Sequence, residues 1–376
     1  MVEIARLRIV VCHAPMEKPV VTSFGAITGR DIAMVAIEDA DGAVGWGDIW
    51  GNFPPGTTGY RAALAGRLLP DLLLGRQLEA GSGTLAGLMA RTRVLAIQSG
   101  EYGPVATAIA AADQALWDLA ARRCGVAIRR LIDPGAADVI PVYASGLNPD
   151  DGPETVLRVR GEGHRSFKLK VGFGGDTDRA NVEAIRRDMR DGERLLVDAN
   201  QKWDLAAACS AADWLAEAGV GWLEEPMPAD APDVHWRRLR AGMRLPLAGG
   251  ENITDHAAID RALGWLDVVQ PDVGKWGGVS WNVDIARRAL AAGRTYCPHW
   301  LAGGLGLMHS ANILAGVGGK GMLEMDVNAN PLREAVIGGM LTVEDGCVRL
   351  PDGAGLGVAP DETALADWLV DSLEFT

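Results

Sequence analysis

Apolar runs of strand length recur through the middle of the chain, separated by segments with helical spacing. The runs are PVYASG (141–146), FKLKVG (167–172), RLLVDAN (194–200), VGWLEEP (220–226), LPLAGGE (245–251), LDVVQPD (266–272), RTYCPHW (294–300) and GMLEMDV (321–327). Between them, NVEAIRRDM, AAACSAADWLAEAG, DHAAIDRALG and WNVDIARRALAAG place apolar residues three and four apart and end near glycine or at the next strand. Eight strands at a spacing of about 25 residues, each followed by a helix or loop, predict a βα repeat. The count favours an α/β fold closed as a (β/α)8-type barrel. A doubly wound sheet is the alternative, but no GxGxxG follows the first strand.

The flanks break this period. Over residues 1–125, ARLRIVVCHA and DIAMVAIEDADGAVGWGD suggest strands joined by a D-G turn, and AALAGRLLPDLL a helix, so an α+β domain precedes a barrel spanning 126–340. Residues 341–376, beginning LTVEDGCVRLPDGAGLGVAP, read as a hairpin and loop that pack back on the N-terminal domain.

Composition narrows the function classes. The 376 residues are 48% hydrophobic, enough for a sizeable core, and carry a net charge of −13. That charge argues against a nucleic-acid binder and for a partner that is a small molecule. The most apolar window, VATAIAAADQALWDLAA, is interrupted by Asp113 and Asp118, so no membrane span is expected. Five scattered cysteines without a CxxC, and an N-terminus that alternates like a strand, point to reduced thiols and a cytoplasmic location.

Carboxylates end consecutive strands: Asp198 in VDAN, Glu224 in LEEP and Glu251 in AGGEN, separated by 26 and 27 residues. One such acid alone reads equally as a solvated loop carboxylate. Three, one βα unit apart, converge on the C-terminal mouth where barrel sites sit. Oxygen donors without His or Cys suit a hard cation such as Mg²⁺. The next two strands end with Asp272 and His299, which can pair so that the acid fixes the imidazole tautomer, and the last supplies Glu324. In FKLKVG, period two puts Lys168 and Lys170 on one face, towards the same mouth. Lys168 and a divalent ion would both disfavour the protonated form of Lys170, making it a base, and Lys168 could hold a substrate carboxylate. The plainer reading of that pair is two lysines snorkelling to solvent.

This ordered set resembles the enolase superfamily and, within it, the mandelate racemase subgroup. The resemblance covers essentially the whole chain, including AIAAADQALWDLAAR leading into the barrel and the return DGAGLG, where Ala354 stands in place of the usual Pro. It implies a (β/α)7β TIM barrel under an N-terminal capping domain that the C-terminal segment completes. It implies Lys170 of the KxK motif as base on one face of the substrate α-carbon, Asp272–His299 as the dyad on the other, and one Mg²⁺ (or Mn²⁺) on Asp198, Glu224 and Glu251. Glu324, protonated so that it can donate, would bind the substrate carboxylate or enediolate. The muconate-lactonizing subgroup instead carries a lysine where Asp272 stands. Lys275, three residues later in DVGKWGG, is read as structural.

The resemblance further implies dehydration of an acid sugar to a 2-keto-3-deoxy acid, with racemisation or epimerisation of a 2-hydroxy acid as the alternative. A non-catalytic metal-binding barrel is the reading from another class. Capping-domain loops at 13–27 and 48–60 would close over the mouth. Ser23, Phe24, Trp50 and Asn52, with Asn200 and Trp300 from the barrel, are the candidate contacts for a small-molecule carboxylate substrate, and Arg30 or Lys18 could pair a distal carboxylate. The resemblance also implies a homo-oligomer, since barrels of this family often assemble as dimers or octamers.

Overall fold

The N-terminal sheet starts as one long hairpin, β1 (Val2–Thr22) against β2 (Gly25–Asp39), continued by β3 (Val44–Ile49). The two-residue β4 (Gln77–Leu78) pairs with the start of β1. A computed structural model describes residues 1–22 and 25–376; Ser23 and Phe24 lie outside the described residues. Of the stretch 13–27, expected as a lid loop, residues 13–22 and 25–27 are strand, the distal arms of this hairpin. Val20, Val21, Ala26 and Ile27 continue the ladder, and pairing lapses only between Pro15 and Val20, where two prolines lack donors.

Three helices follow, α1 (Thr58–Leu73), α2 (Ser82–Ser99) and α3 (Tyr102–Cys124); α1 and α3 cover the sheet, and α2 packs on α3. α3 approaches β3 so closely that side chains are excluded between them: a Cβ on Gly45 or Gly47 would overlap the carbonyl oxygens of Ala115 or Ala111. The alanine-rich face of α3 and the glycines of VGWGD are therefore one matched surface. α3 also carries a buried polar row. Gln114 accepts from the Asp48 N–H and donates to the Asp48 and Val273 carbonyls. Asp113 accepts from the backbone (2.9 Å) and hydroxyl (2.6 Å) of Ser280, and Asp118 accepts from the N–H groups of Trp46 and Leu356. One helix thus ties sheet, barrel and C-terminal return together.

The barrel strands are β5 (Val139–Leu147), β6 (Ser166–Lys170), β7 (Arg194–Asp198), β8 (Leu223–Glu224), β9 (Leu247–Gly249), β10 (Val268–Val269), β11 (Thr295–Tyr296) and β12 (Leu323–Asp326), each followed by a helix. Parallel ladders join them in the order β12, β5, β6, β7, β8, β9, β10, β11. The two ends of that order meet: a Cβ on Gly321 would overlap the Tyr296 carbonyl oxygen, and the Met322 N–H donates to Cys297 Sγ at 3.3 Å. Alternation sends Phe167, Leu169, Leu195, Val197, Leu223 and Leu247 outward against the helices. Tyr143, Leu196, Trp222, Ala248, Val268, Cys297 and Met322 fill the interior as a separate apolar plug.

Beyond the barrel, β13 (Val343–Glu344) and β14 (Cys347–Arg349) form a hairpin that extends β5, and β15 (Leu369–Phe375) adds antiparallel to β1. His309, in the helix Gly304–Val317, crosses to the capping domain and donates from Nε2 to the Trp46 carbonyl at 2.9 Å.

Two consequences are measurable. Gly47→Ala forces α3 off β3 and is expected to lower stability in urea by about 3 kcal/mol; an unchanged midpoint would contradict the backbone contact. Burial lowers the His309 pKa to about 4, so folding favours the neutral ring. That contribution is intact above pH ~6.5 and is lost as pH falls from there towards 4, by up to about 3 kcal/mol. His309→Gln should flatten this part of the stability–pH profile, and an identical profile would refute the assignment.

Candidate active site

Immediately above the apolar plug, the inward positions turn polar. Lys170, Asp198 and Glu224 are the last residues of their strands, Ser145, Lys168 and Glu324 lie within theirs, and the register sets Lys170 beside Asp198 and Asp198 beside Glu224. Glu251 follows two residues past its strand, and Asp272 and His299 three residues past theirs, with an isolated bridge aligning Asp272 and His299.

The two lysines are both buried, and each is held by acids. Lys168 Nζ lies 2.6 Å from Glu224 Oε1, 2.7 Å from Glu324 Oε1 and 3.7 Å from Asp198 Oδ2, over the Tyr143 ring. Burial alone would lower its pKa, but Glu224 and Glu324 hold it well above the usual lysine value. It faces those acids rather than open space, so holding a substrate carboxylate is not its role in this arrangement. Lys170 Nζ donates to Asp198 Oδ2 at 2.6 Å and reaches the cavity.

Glu324 differs from expectation. Oε1 accepts from the Ser145 hydroxyl (2.6 Å) and Lys168, and Oε2 from the Trp300 N–H (3.0 Å). Against its burial, Lys168 and His299 pull its pKa down to about 2. With donors on both oxygens it is an ionised acceptor, not a protonated donor.

The dyad is formed. Asp272 Oδ2 meets His299 Nδ1 at 2.6 Å, and Oδ1 is fixed by the N–H groups of Gly274 and Lys275, both at 2.8 Å. His299 Nε2 contacts Glu251. Burial would lower the imidazole pKa, but Glu251, Glu324 and Asp272 carry it up to about 10, while His299 and Lys275 draw Glu251 well below the usual carboxylate range despite its burial.

Lys170 and His299 line one cavity of about 260 Å³ with Asn200, Gln201, Glu251, Asn252 and Lys275, roofed by Ile27, Trp50, Asn52, Phe53 and Leu301. Asn200 and Gln201 hold left-handed backbone (φ 42° and 65°), as does Glu225 (φ 35°), a strain of about 1–3 kcal/mol each at the strand ends. Of the expected contacts, Trp50, Asn52 and Asn200 border the cavity; the Asn52 amide also donates to the Leu301 carbonyl. Trp300 does not. Its ring is buried against Gly306 and Gly274, and its indole N–H donates to the Gly303 carbonyl at 2.7 Å. Nor do Arg30 and Lys18 reach it. Arg30 is spent on Asp326 (2.6 Å) and the Ala329 carbonyl, and Lys18 pairs with Asp151.

Three residues escaped the sequence reading. Ser145 and Gln270, whose amide donates to Glu224 Oε2 at 2.7 Å, sit two positions from strand residues that already point inward, so period two could have found them. Lys275, read as structural, lines the cavity.

Asp198, Glu224 and Glu251 are each turned to a cation of the protein, and among the described residues no three His, Cys, Asp or Glu groups converge closely enough to hold a metal ion. Their chemistry nonetheless fits a divalent ion. The buried acids Asp198, Glu224, Glu225, Glu251, Asp272 and Glu324 outnumber the cations Lys168, Lys170, Lys275 and His299 by two charges. Burial pushes Glu224 and Glu225 up to about 8, the state of an anion cluster short of positive charge.

The chain belongs to the mandelate racemase/muconate lactonizing enzyme family of the enolase superfamily. Residues 5–133 match the mandelate racemase/muconate lactonizing enzyme N-terminal domain, and residues 153–364 the enolase C-terminal domain-like family. The chain is 30% identical to a D-galactarolactone cycloisomerase of Agrobacterium fabrum, over 90% of this chain and 91% of that one. It superposes with a TM-score of 0.90 on a mandelate racemase/muconate lactonizing enzyme of Bordetella bronchiseptica RB50, at 43% identity over 97% and 99% of the two chains. A mutant L-talarate/galactarate dehydratase solved with magnesium and L-glucarate gives 0.86 at 26% identity, over 99% and 93%.

Removing the central lysine tests the charge lattice. Lys168→Met strands Glu224 and Glu324 in the interior and is expected to cost about 3–5 kcal/mol in urea denaturation with Mg²⁺ present; a loss below about 1 kcal/mol would mean the acids find other partners.

Proposed function

We propose that the protein abstracts the proton α to the carboxylate of an acid sugar and expels the β-hydroxyl as water, giving a 2-keto-3-deoxy acid. The observation that carries this reading is one small cavity bordered by both Lys170 and the Asp272-fixed His299, which come from non-adjacent strands. A substrate carbon between them meets a proton-transfer group on either side.

Asp198, Glu224 and Glu251 would hold Mg²⁺, which when bound supplies positive charge beside the substrate carboxylate. Lys170 takes the α-proton once it is unprotonated, and the electron pair passes into the enediolate. That pair then returns to form the Cα–Cβ double bond as the Cβ–O bond breaks. His299, protonated and oriented by Asp272, gives its proton to the departing hydroxyl, so water leaves. The enol tautomerises to the keto acid. Trp50, Asn52 and Phe53 close the roof and keep bulk water away.

Ring opening is a second reading, favoured by the similarity to a D-galactarolactone cycloisomerase over 90% of the chain. There the oxygen leaving Cβ belongs to a ring, and His299 protonates it in the same position. Without a leaving group the same pair of groups would invert the α-carbon.

Proton NMR in D₂O with Mg²⁺, across acid sugars, their lactones and simple 2-hydroxy acids, separates these outcomes. Dehydration yields a 2-keto-3-deoxy product, and ring opening an isomer of unchanged mass. Deuterium at Cα of inverted substrate would mean a racemase instead. Lys170→Ala should lower turnover of whichever acid reacts by at least about 10³-fold, and full activity in that variant would sink the mechanism. His299→Asn should lose elimination yet keep α-proton exchange from the Lys170 side.

A further inference from the structure

Each of the three acids assigned to the metal accepts a hydrogen bond from a side-chain amide. Asn200 Nδ2 donates to Asp198 Oδ2 at 3.1 Å, Gln270 Nε2 to Glu224 Oε2 at 2.7 Å and Asn252 Nδ2 to Glu251 Oε1 at 3.0 Å. The proposed reaction uses none of these amides. Two of the acids are divided in the same way, one oxygen to the amide and the other to a cation. Glu224 keeps Oε1 for Lys168 at 2.6 Å, and Glu251 keeps Oε2 for His299, with Lys275 at 3.5 Å from its Oε1. Asp198 is clamped at both oxygens by Asn200, whose backbone N–H reaches Oδ1 at 2.8 Å, while Lys170 shares Oδ2.

The amides are themselves fixed. Gln270 is buried, and its backbone N–H donates to the Gly249 carbonyl at 2.8 Å. Its side chain reaches Glu224 across β9, where Ala248 and the following Gly250 are too small to separate them. Asn252 also donates to Glu225 Oε2 at 2.8 Å, and Asn200 is set by left-handed backbone at φ 42°. An amide orients a carboxylate without cancelling its charge, which stays available to an ion. Chelation by both oxygens requires the carboxylate to turn until it faces the ion squarely, and an amide holding one oxygen resists that turn. Mg²⁺ takes single oxygens in octahedral geometry at about 2.1 Å, whereas the larger Ca²⁺ accepts one oxygen or two and tolerates irregular geometry.

We propose that the three amides, Gln270 foremost, are positioning residues that hold the acids to coordination through one oxygen each and so bias the site towards Mg²⁺ and against Ca²⁺. The assignment rests on the metal reading given above, in which Asp198, Glu224 and Glu251 are the ligands. Gln270 acts through Glu224 and touches neither ion nor substrate.

Calorimetric titration of the metal-free, full-length protein with MgCl₂ and with CaCl₂ tests it, no substrate being needed. Gln270→Met keeps the volume and removes the amide. It should weaken Mg²⁺ binding roughly 10–100-fold, the usual effect of losing a residue that orients a metal ligand. Ca²⁺ should lose less than about 3-fold, because the freed Glu224 carboxylate can turn to chelate it. Unchanged Mg²⁺ affinity would overturn the proposal. Equal weakening of both ions would do so too, since it would make Gln270 a support for the barrel interior. Asn252→Ala should move the Mg²⁺/Ca²⁺ ratio in the same direction through Glu251. Urea midpoints in metal-free buffer show whether each variant folds, and if Gln270→Met does not, Asn252→Ala, at a half-buried position, decides the matter. Glu224→Gln separates this proposal from the metal reading beneath it. Mg²⁺ binding that this variant leaves untouched would refute both. Mg²⁺ binding that needs Glu224, with a ratio indifferent to Gln270→Met, would refute the role of the amides alone.

Discussion

Opposite charge packed into the mouth of a barrel is the constraint on which the site depends. Lys168 touches two carboxylates and lies near a third, yet has no access to water. Burying such ions is costly, and mutual attraction offsets the cost only where the geometry is tight and remaining lone pairs are satisfied. Ser145, Gln270 and the Trp300 N–H supply those remaining bonds. The apolar plug beneath, with Tyr143 and Trp222 edge to face at 5.3 Å, excludes water from below. The lattice is therefore tightly paired and shielded from water, the setting that the enediolate chemistry proposed above would use.

The capping domain completes what the barrel begins. Its roof residues Ile27, Trp50, Asn52 and Phe53 are placed by β2 and the segment after β3, and β3 is set by backbone contact with α3. α3 in turn grips the barrel through Ser280 and Val273. Packing at Gly47 thus bears on the roof of the cavity through contiguous structure, since Asp48 and Trp50 follow it directly. His309 adds a hydrogen bond between the same two bodies.

Much of this was legible from the order of residues. Eight strands at one spacing, acids at their ends and a Lys-x-Lys pair are linear patterns, because alternation and the βα repeat convert sequence separation directly into position at the barrel mouth. The departures have physical reasons. Glu324 was expected to be protonated, but its donors come from three different strand ends, a convergence that no local pattern encodes. Residues 13–22 and 25–27 read as loop by their prolines and glycines, yet pairing between the two arms makes them strand. Trp300 has the right address for a substrate contact, but the gaps left by Gly274 and Gly306 draw its ring inward.

By itself, then, the sequence determined the barrel, its capping domain, and which lysines, acids and histidine reach the mouth, because those follow from periodicity. Only the tertiary structure decided which acid each lysine holds, that Glu324 is an acceptor, that Arg30 and Lys18 are occupied elsewhere, and that Lys275 borders the cavity. Those outcomes turn on distances of a few ångströms between residues far apart in the chain, where desolvation and pairing compete, and the linear pattern carries no information about which pairing wins.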